Sequence, residues 1–198
     1  MISKIVRRTH MYLALFLTPW VLMYALSTMA MNHRGLFRKY YGAGPAPFEV
    51  ERVQAYTRIF LPDATPAAVA EQILKDLGLE GTYTVRGSPS GGSLTVLRQD
   101  PISPRRVTYT PATAKLLVEK EVFRTPALLE RLHRRRGFQH KYFAQDFWAS
   151  SVDLVIVAMI FWAGSGLWMR WELAETRRWG ALSAACGFAL FAFFLFSI

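Results

Sequence analysis

Apolar positions along the chain follow two regimes. In three blocks they are nearly continuous: Tyr12 to Met31, Phe147 to Met169, and Gly180 to Ile198. A block of roughly 20 residues, rising about 1.5 Å per residue in a helix, matches the hydrocarbon thickness of a bilayer. An amphipathic core helix would carry a charge every third or fourth position. The first and third blocks carry none and the second carries only Asp153, so all three are expected to be transmembrane α-helices. The first block follows Lys4, Arg7 and Arg8 as a signal peptide would, but its apolar run exceeds a typical h-region.

Between the first two blocks the pattern changes. Gly42, Gly44, Pro45 and Pro47 mark a short irregular linker. Thr65 to Gly78 then predicts a helix with Thr65 at the N-cap, Pro66 in the first turn, Gly78 past the end, and Val69, Ile73 and Leu77 forming one stripe. Three or four short strands follow, Thr82 to Arg86, Ser93 to Arg98, Arg106 to Tyr109 and Leu116 to Val122, separated by Gly/Pro/Ser turns. The expected core is Val69, Ile73, Leu77, Tyr83, Val85, Leu94, Val96, Val107 and Tyr109. Thr125 to Arg136 reads as a further helix, with Leu128, Leu129 and Leu132 on one side. The expected fold is therefore a membrane protein with three transmembrane α-helices and a small extramembrane α+β domain inserted between helices 1 and 2. Residues 1–34 hold the first span, 35–146 the domain with a juxtamembrane helix, and 147–198 the second and third spans.

Composition alone conceals this division, because 52% apolar residues and a mean hydropathy of +0.16 look almost soluble over 198 residues. The net charge of +10 raises the question of nucleic acid. Tyr40 to Glu130, however, contains ten Lys/Arg and ten Asp/Glu, so the surplus lies beside the apolar blocks. There it suits anionic headgroups and snorkelling side chains. Membrane lipids, not nucleic acid, are the expected charged partner. The single cysteine, Cys186, lies in the third block, which excludes an internal disulfide and any cysteine-based metal site.

Three stretches together resemble the PepSY-associated transmembrane family. Arg8-Thr9-His10-Met11-Tyr12-Leu13 opens an apolar helix that ends at Met31-Asn32-His33. The helix-then-strands unit ends in Val107-Thr108-Tyr109-Thr110-Pro111-Ala112-Thr113, with Ala114 where the family pattern has Gly. Leu132-His133 and His140 precede a span ending in Gly164-Ser165-Gly166-Leu167-Trp168. The resemblance implies a PepSY-like domain on the periplasmic side of a bacterial inner membrane. Some larger relatives are haem-containing reductases in siderophore-iron uptake, whereas this chain has only three spans.

All four histidines, His10, His33, His133 and His140, fall at or near the expected membrane boundaries. Imidazoles there suit axial ligation of a haem, with haem b as the candidate cofactor, and they equally suit hydrogen bonds to headgroups or backbone. His10 and His33 are roughly 34 Å apart along one helix and cannot share an iron. The expected pair is therefore His33 with His140 or His133, with Arg34, Arg134 and Lys141 near the propionates, while His10 would need a partner from another chain. Asp153 is an intramembrane carboxylate, either functional or paired with Lys141, an arginine of the 131–136 run, or Ser150 and Ser151. Gly164, Ser165 and Gly166 suit close helix packing.

No nucleophile with base and orienter, no phosphate-binding glycine loop and no zinc set is legible, so an autonomous enzyme is not expected. Three functional readings follow: an accessory subunit of a larger inner-membrane complex, with electron transfer as its expected chemistry; a haem-binding electron-transfer component; and a PepSY module that restrains a peptidase. The first leads, because three helices and scattered histidines supply few ligands for an autonomous transmembrane redox path, and it implies other membrane subunits as partners. Counting charge does not favour a periplasmic domain. The N-terminus and the 170–178 loop carry six Lys/Arg (Lys4, Arg7, Arg8, Arg170, Arg177, Arg178), and the domain-side flanks carry eight (Arg34, Arg38, Lys39, Arg131, Arg134, Arg135, Arg136, Lys141). The periplasmic expectation rests on the resemblance and on the basic N-terminus.

Overall fold

The computed structural model describes residues 2–61, 63–135, 137–138, 142–172 and 177–197. In chain order the elements are α1 (Ile2–Asn32), α2 (Arg34–Tyr41), β1 (Phe48–Ala55), α3 (Pro66–Asp76), β2 (Tyr83–Ser88), β3 (Ser93–Arg98), β4 (Arg105–Thr110), β5 (Lys115–Glu121), α4 (Thr125–Arg134), α5 (Phe143–Glu172) and α6 (Arg177–Ser197). Helices α1, α5 and α6 are long and apolar enough to cross a membrane, which suggests a multi-pass membrane protein, and the antiparallel sheet lies between the first two of them in sequence. The chain divides into two compact units, Met1–Leu22 with Ser151–Ile198, and Met23–Ser150.

In the first unit, Leu17 of α1 and Val155 and Ala158 of α5 are buried together, with Leu13, Trp20, Met159 and Trp162 packed around them. Leu13, Leu17 and Trp20 recur at helical spacing, so one stripe of α1 meets one stripe of α5. The start of α1 is tied to the end of α5, where Ser3 donates to Glu172 at 2.7 Å and Arg7 stands 3.8 Å from the same carboxylate. Helix α6 buries none of its residues against the chain, and its exposed Phe188, Leu190, Phe191, Phe193, Phe194 and Phe196 suit hydrocarbon. Cys186 is exposed on this helix.

The second unit holds the α+β domain. Its sheet runs β1-β5-β4-β3-β2, with every pairing antiparallel. Strand register places Leu94, Tyr109 and Leu116 in one row and Val96, Val107 and Val118 in the next. Both rows are buried beneath α3, which contributes Val69, Ala70, Ile73 and Leu74. Leu77, Tyr83 and Val85, also expected in the core, pack at its edge as partly buried residues. Helix α3 begins as expected, with the Thr65 hydroxyl accepting from Ala68 N–H at 3.2 Å and Pro66 in the first turn. It ends in a Schellman motif: Leu79 N–H reaches Leu74 C=O at 2.8 Å and Gly78 N–H reaches Lys75 C=O at 3.0 Å, with Gly78 at φ +65°.

Two elements escaped the sequence reading. Strand β1 pairs with β5 through a register shift between Val50 and Arg52, and such a bulge breaks the two-residue alternation by which a strand is recognised. Helix α2 fills part of the stretch between the first span and the linker. The juxtamembrane helix ends at Arg134, earlier than the expected Arg136, which lies outside the described residues.

Hairpins β2–β3 and β4–β5 use the same four-residue connection. Pro89-Ser90-Gly91-Gly92 and Pro111-Ala112-Thr113-Ala114 each form a short 3-10 turn closed by a left-handed residue, Gly92 at φ +94° and Ala114 at φ +47°. Only the first carries glycine there, and a Cβ in the left-handed region costs about 1–2 kcal/mol, partly offset by glycine's greater freedom in the unfolded chain. Ala114→Gly is therefore expected to stabilise the domain by about 0.5–1 kcal/mol and Gly92→Ala to destabilise it by a similar amount. Thermal unfolding of the full-length protein followed through its sheet signal measures both shifts.

Candidate functional site

Helix α4 starts with Pro126 in its first turn, where a missing N–H is harmless, and gathers Arg131, His133 and Arg134 in its last turn, where cations complement the helix dipole. Glu130 and His133, three residues apart, share the face turned toward the C-terminal part of α1. His133 Nδ1 lies 2.7 Å from the hydroxyl of Ser27, and Tyr24 meets the imidazole edge-on with centroids 5.0 Å apart. Seven residues beyond Ser27, at the start of α2, Arg34 donates to Glu130 at 3.0 Å, and Arg134 donates to the same oxygen at 2.9 Å. Ser27 is fully buried at this contact.

The position of the serine proton fixes that of the imidazole. Ser27 Oγ is 2.8 Å from the carbonyl oxygen of Tyr24 on its own helix, and two oxygens at that separation repel unless a proton lies between them. The hydroxyl therefore donates to Tyr24 C=O, and its oxygen can only accept from His133. The donor is Nδ1–H, so in the neutral ring the lone pair resides on Nε2.

The first unit repeats this chemistry with the roles of the helices exchanged. His10 of α1 has Nδ1 2.9 Å from Ser165 Oγ of α5, and Ser165 donates to Trp162 C=O at 2.9 Å. The imidazole stacks on Trp162 at a centroid distance of 5.5 Å and an interplanar angle of 18°. Gly166 lies beside the ring, where a Cβ would stand 3.5 Å from His10 Cε1, an ordinary van der Waals contact. His10 is again an Nδ1–H donor with its Nε2 lone pair unused by the serine.

The other sequence candidates are placed differently. His33 is exposed at the break between α1 and α2 and makes no side-chain capping bond. His140 and Lys141 lie outside the described residues. Arg34 and Arg134, expected beside haem propionates, are both bound to Glu130. Asp153 is exposed, and among the described residues no hydrogen bond or ion pair engages it. A Cβ at Gly164 would meet nothing within 4 Å, so of the two glycines only Gly166 lies against a neighbour. Among the described residues no group of three or more His, Cys, Asp and Glu side chains is arranged to hold a metal ion. Sequence reading passed over Ser27, Tyr24 and Trp162, and took Ser165 only for a small packing residue.

If the Ser27–His133 bond is as described, Ser27→Ala and His133→Ala should each destabilise the protein, and the double variant should cost less than the sum by about 0.5–1.5 kcal/mol. Unfolding of the four proteins in the same detergent measures this coupling, and strict additivity would contradict the bond. Comparison of the chain with protein-family models, with curated proteins and with solved structures finds no match to any of them.

Proposed function

We propose that the chain is an accessory subunit of an electron-transfer complex in a bacterial inner membrane, its α+β domain periplasmic and PepSY-like, and that His133 and His10 are the imidazoles it offers to haem iron. The observation that carries this reading is the pair of serine-held rings. Each has Nδ1–H committed to a serine oxygen and the Nε2 lone pair left over. An imidazole that ligates iron requires this arrangement, one nitrogen held by an acceptor and the other presented to the metal. Bound haem would supply one-electron chemistry. The chain's own contribution is to hold the rings, fix their tautomer and bury one side of each against an aromatic neighbour.

The subunit part of the reading follows from ligand supply. His10 is the only histidine of its unit, so a second imidazole for a haem held there would come from outside that unit, and a partner subunit could supply it. Exposed apolar α6 and the carboxylate of Asp153 on α5, unengaged among the described residues, give further surface for neighbouring subunits.

Full-length protein expressed with haem in excess and purified in mild detergent is expected to show a Soret band. His133→Ala and His10→Ala should each diminish it, and His33→Ala should leave it unchanged. A wild-type spectrum without a Soret band, or a band indifferent to both His133→Ala and His10→Ala, would contradict the proposal.

A further inference from the structure

A cavity of about 570 Å³ opens in the second unit where the β3–β4 turn, α4 and the first turn of α5 meet. Four arginines line it, Arg98, Arg131, Arg134 and Arg135, together with three carboxylates. Each carboxylate is already engaged. Arg98 holds Asp100 at 2.7 Å, Arg131 binds Glu121, and Arg134 shares Glu130 with Arg34. Asp100 stays ionised: burial works against its charge, but the N–H groups of Ser103 and Ile102 and the Arg98 guanidinium outweigh burial and hold its carboxyl below the usual range.

Arg135 is the cation left over. Among the described residues no carboxylate pairs with it, and its guanidinium lies over the Trp148 ring at 5.8 Å. Its Nε and the Nη2 of Arg131 are buried N–H groups with no hydrogen-bond acceptor among the described residues. Unsatisfied buried donors on cations are costly, and two of them on the lining of one cavity, one on a guanidinium that no carboxylate among the described residues answers, suit a tetrahedral oxyanion. The volume falls within the range of small-ligand sites.

From this geometry we infer that the cavity is a binding site for a phosphate group, presented either as the phosphodiester of an anionic phospholipid or as free phosphate, with Arg135 and Arg131 as its donors. The surroundings favour the lipid source. Gln145, on the cavity wall, is in the first turn of a helix apolar enough to cross a membrane. Tyr142, Phe143 and Phe147 are exposed beside it, as aromatic residues are at a headgroup boundary.

Native mass spectrometry of the full-length protein in detergent tests the site. Wild-type protein, Arg135→Gln, Arg135→Lys and the exposed control Lys39→Gln are titrated with phosphatidylglycerol, phosphatidylcholine and inorganic phosphate. Wild-type protein and Lys39→Gln are expected to retain one phosphatidylglycerol in preference to phosphatidylcholine, and Arg135→Gln to bind it about tenfold more weakly. Should Arg135→Gln fail to fold, Arg135→Lys, which keeps the charge but lacks the Nε donor, is expected to weaken binding at least about threefold. Saturable binding of inorganic phosphate that is lost in the Arg135 variants would support the site and assign its source as free phosphate. Equal binding of the two lipids without phosphate binding, or binding undiminished in the Arg135 variants, would overturn the inference.

Discussion

A serine hydroxyl has one proton, and in each unit of this protein a serine gives that proton to a carbonyl of its own helix. The oxygen is left as an acceptor, and an imidazole from another helix supplies the matching N–H. In a segment surrounded by hydrocarbon an unmade polar contact is expensive, so these bonds serve two purposes together. They join helices, α5 to α1 through His10 and α4 to α1 through His133, and they determine which ring nitrogen keeps its lone pair. The functional reading depends on that second consequence.

The same α4 that offers His133 also carries the link to the sheet. Arg131 binds Glu121 at the end of β5 and donates to Pro101 C=O at 3.0 Å, while Glu130 one residue earlier holds Arg34 at the start of α2 and His133 meets Ser27 of α1. Alternate sides of one short helix thus contact the sheet and α1. Of the basic residues beside the domain, Arg34 and Arg134 are held by Glu130 of the same juxtamembrane helix and Arg131 by Glu121 at a strand end, while no carboxylate among the described residues answers Arg135.

How much of this was legible in the sequence varies with the range of the interaction. The spans were plain, because twenty uncharged apolar residues satisfy a local rule, and the bounds of α3 were plain because Thr65, Pro66 and Gly78 act within a few positions. The buried rows of β3 and β4 followed from alternation in Leu94 to Leu97 and Val107 to Tyr109. Strand β1 did not, since its bulge shifts the alternation midway, and its residues are mostly exposed on an edge. The histidines stood out for their chemistry, but their partners did not. Ser27 is 106 residues from His133, and Ser165 is 155 from His10. Nothing local distinguishes a serine that will accept from an imidazole from one that merely packs.

The account stands or falls on the protonation of two rings, which nitrogen NMR reads directly. Full-length protein labelled with 15N-histidine, in detergent micelles at a mildly alkaline pH where imidazoles are neutral, should show a pyrrole-like Nδ1 and a pyridine-like Nε2 for both His10 and His133. The spectra of His10→Gln and His133→Gln variants assign the signals. If either ring proved to carry its proton on Nε2, its serine could not be the acceptor described here, and that ring would have no lone pair on Nε2 to offer an iron.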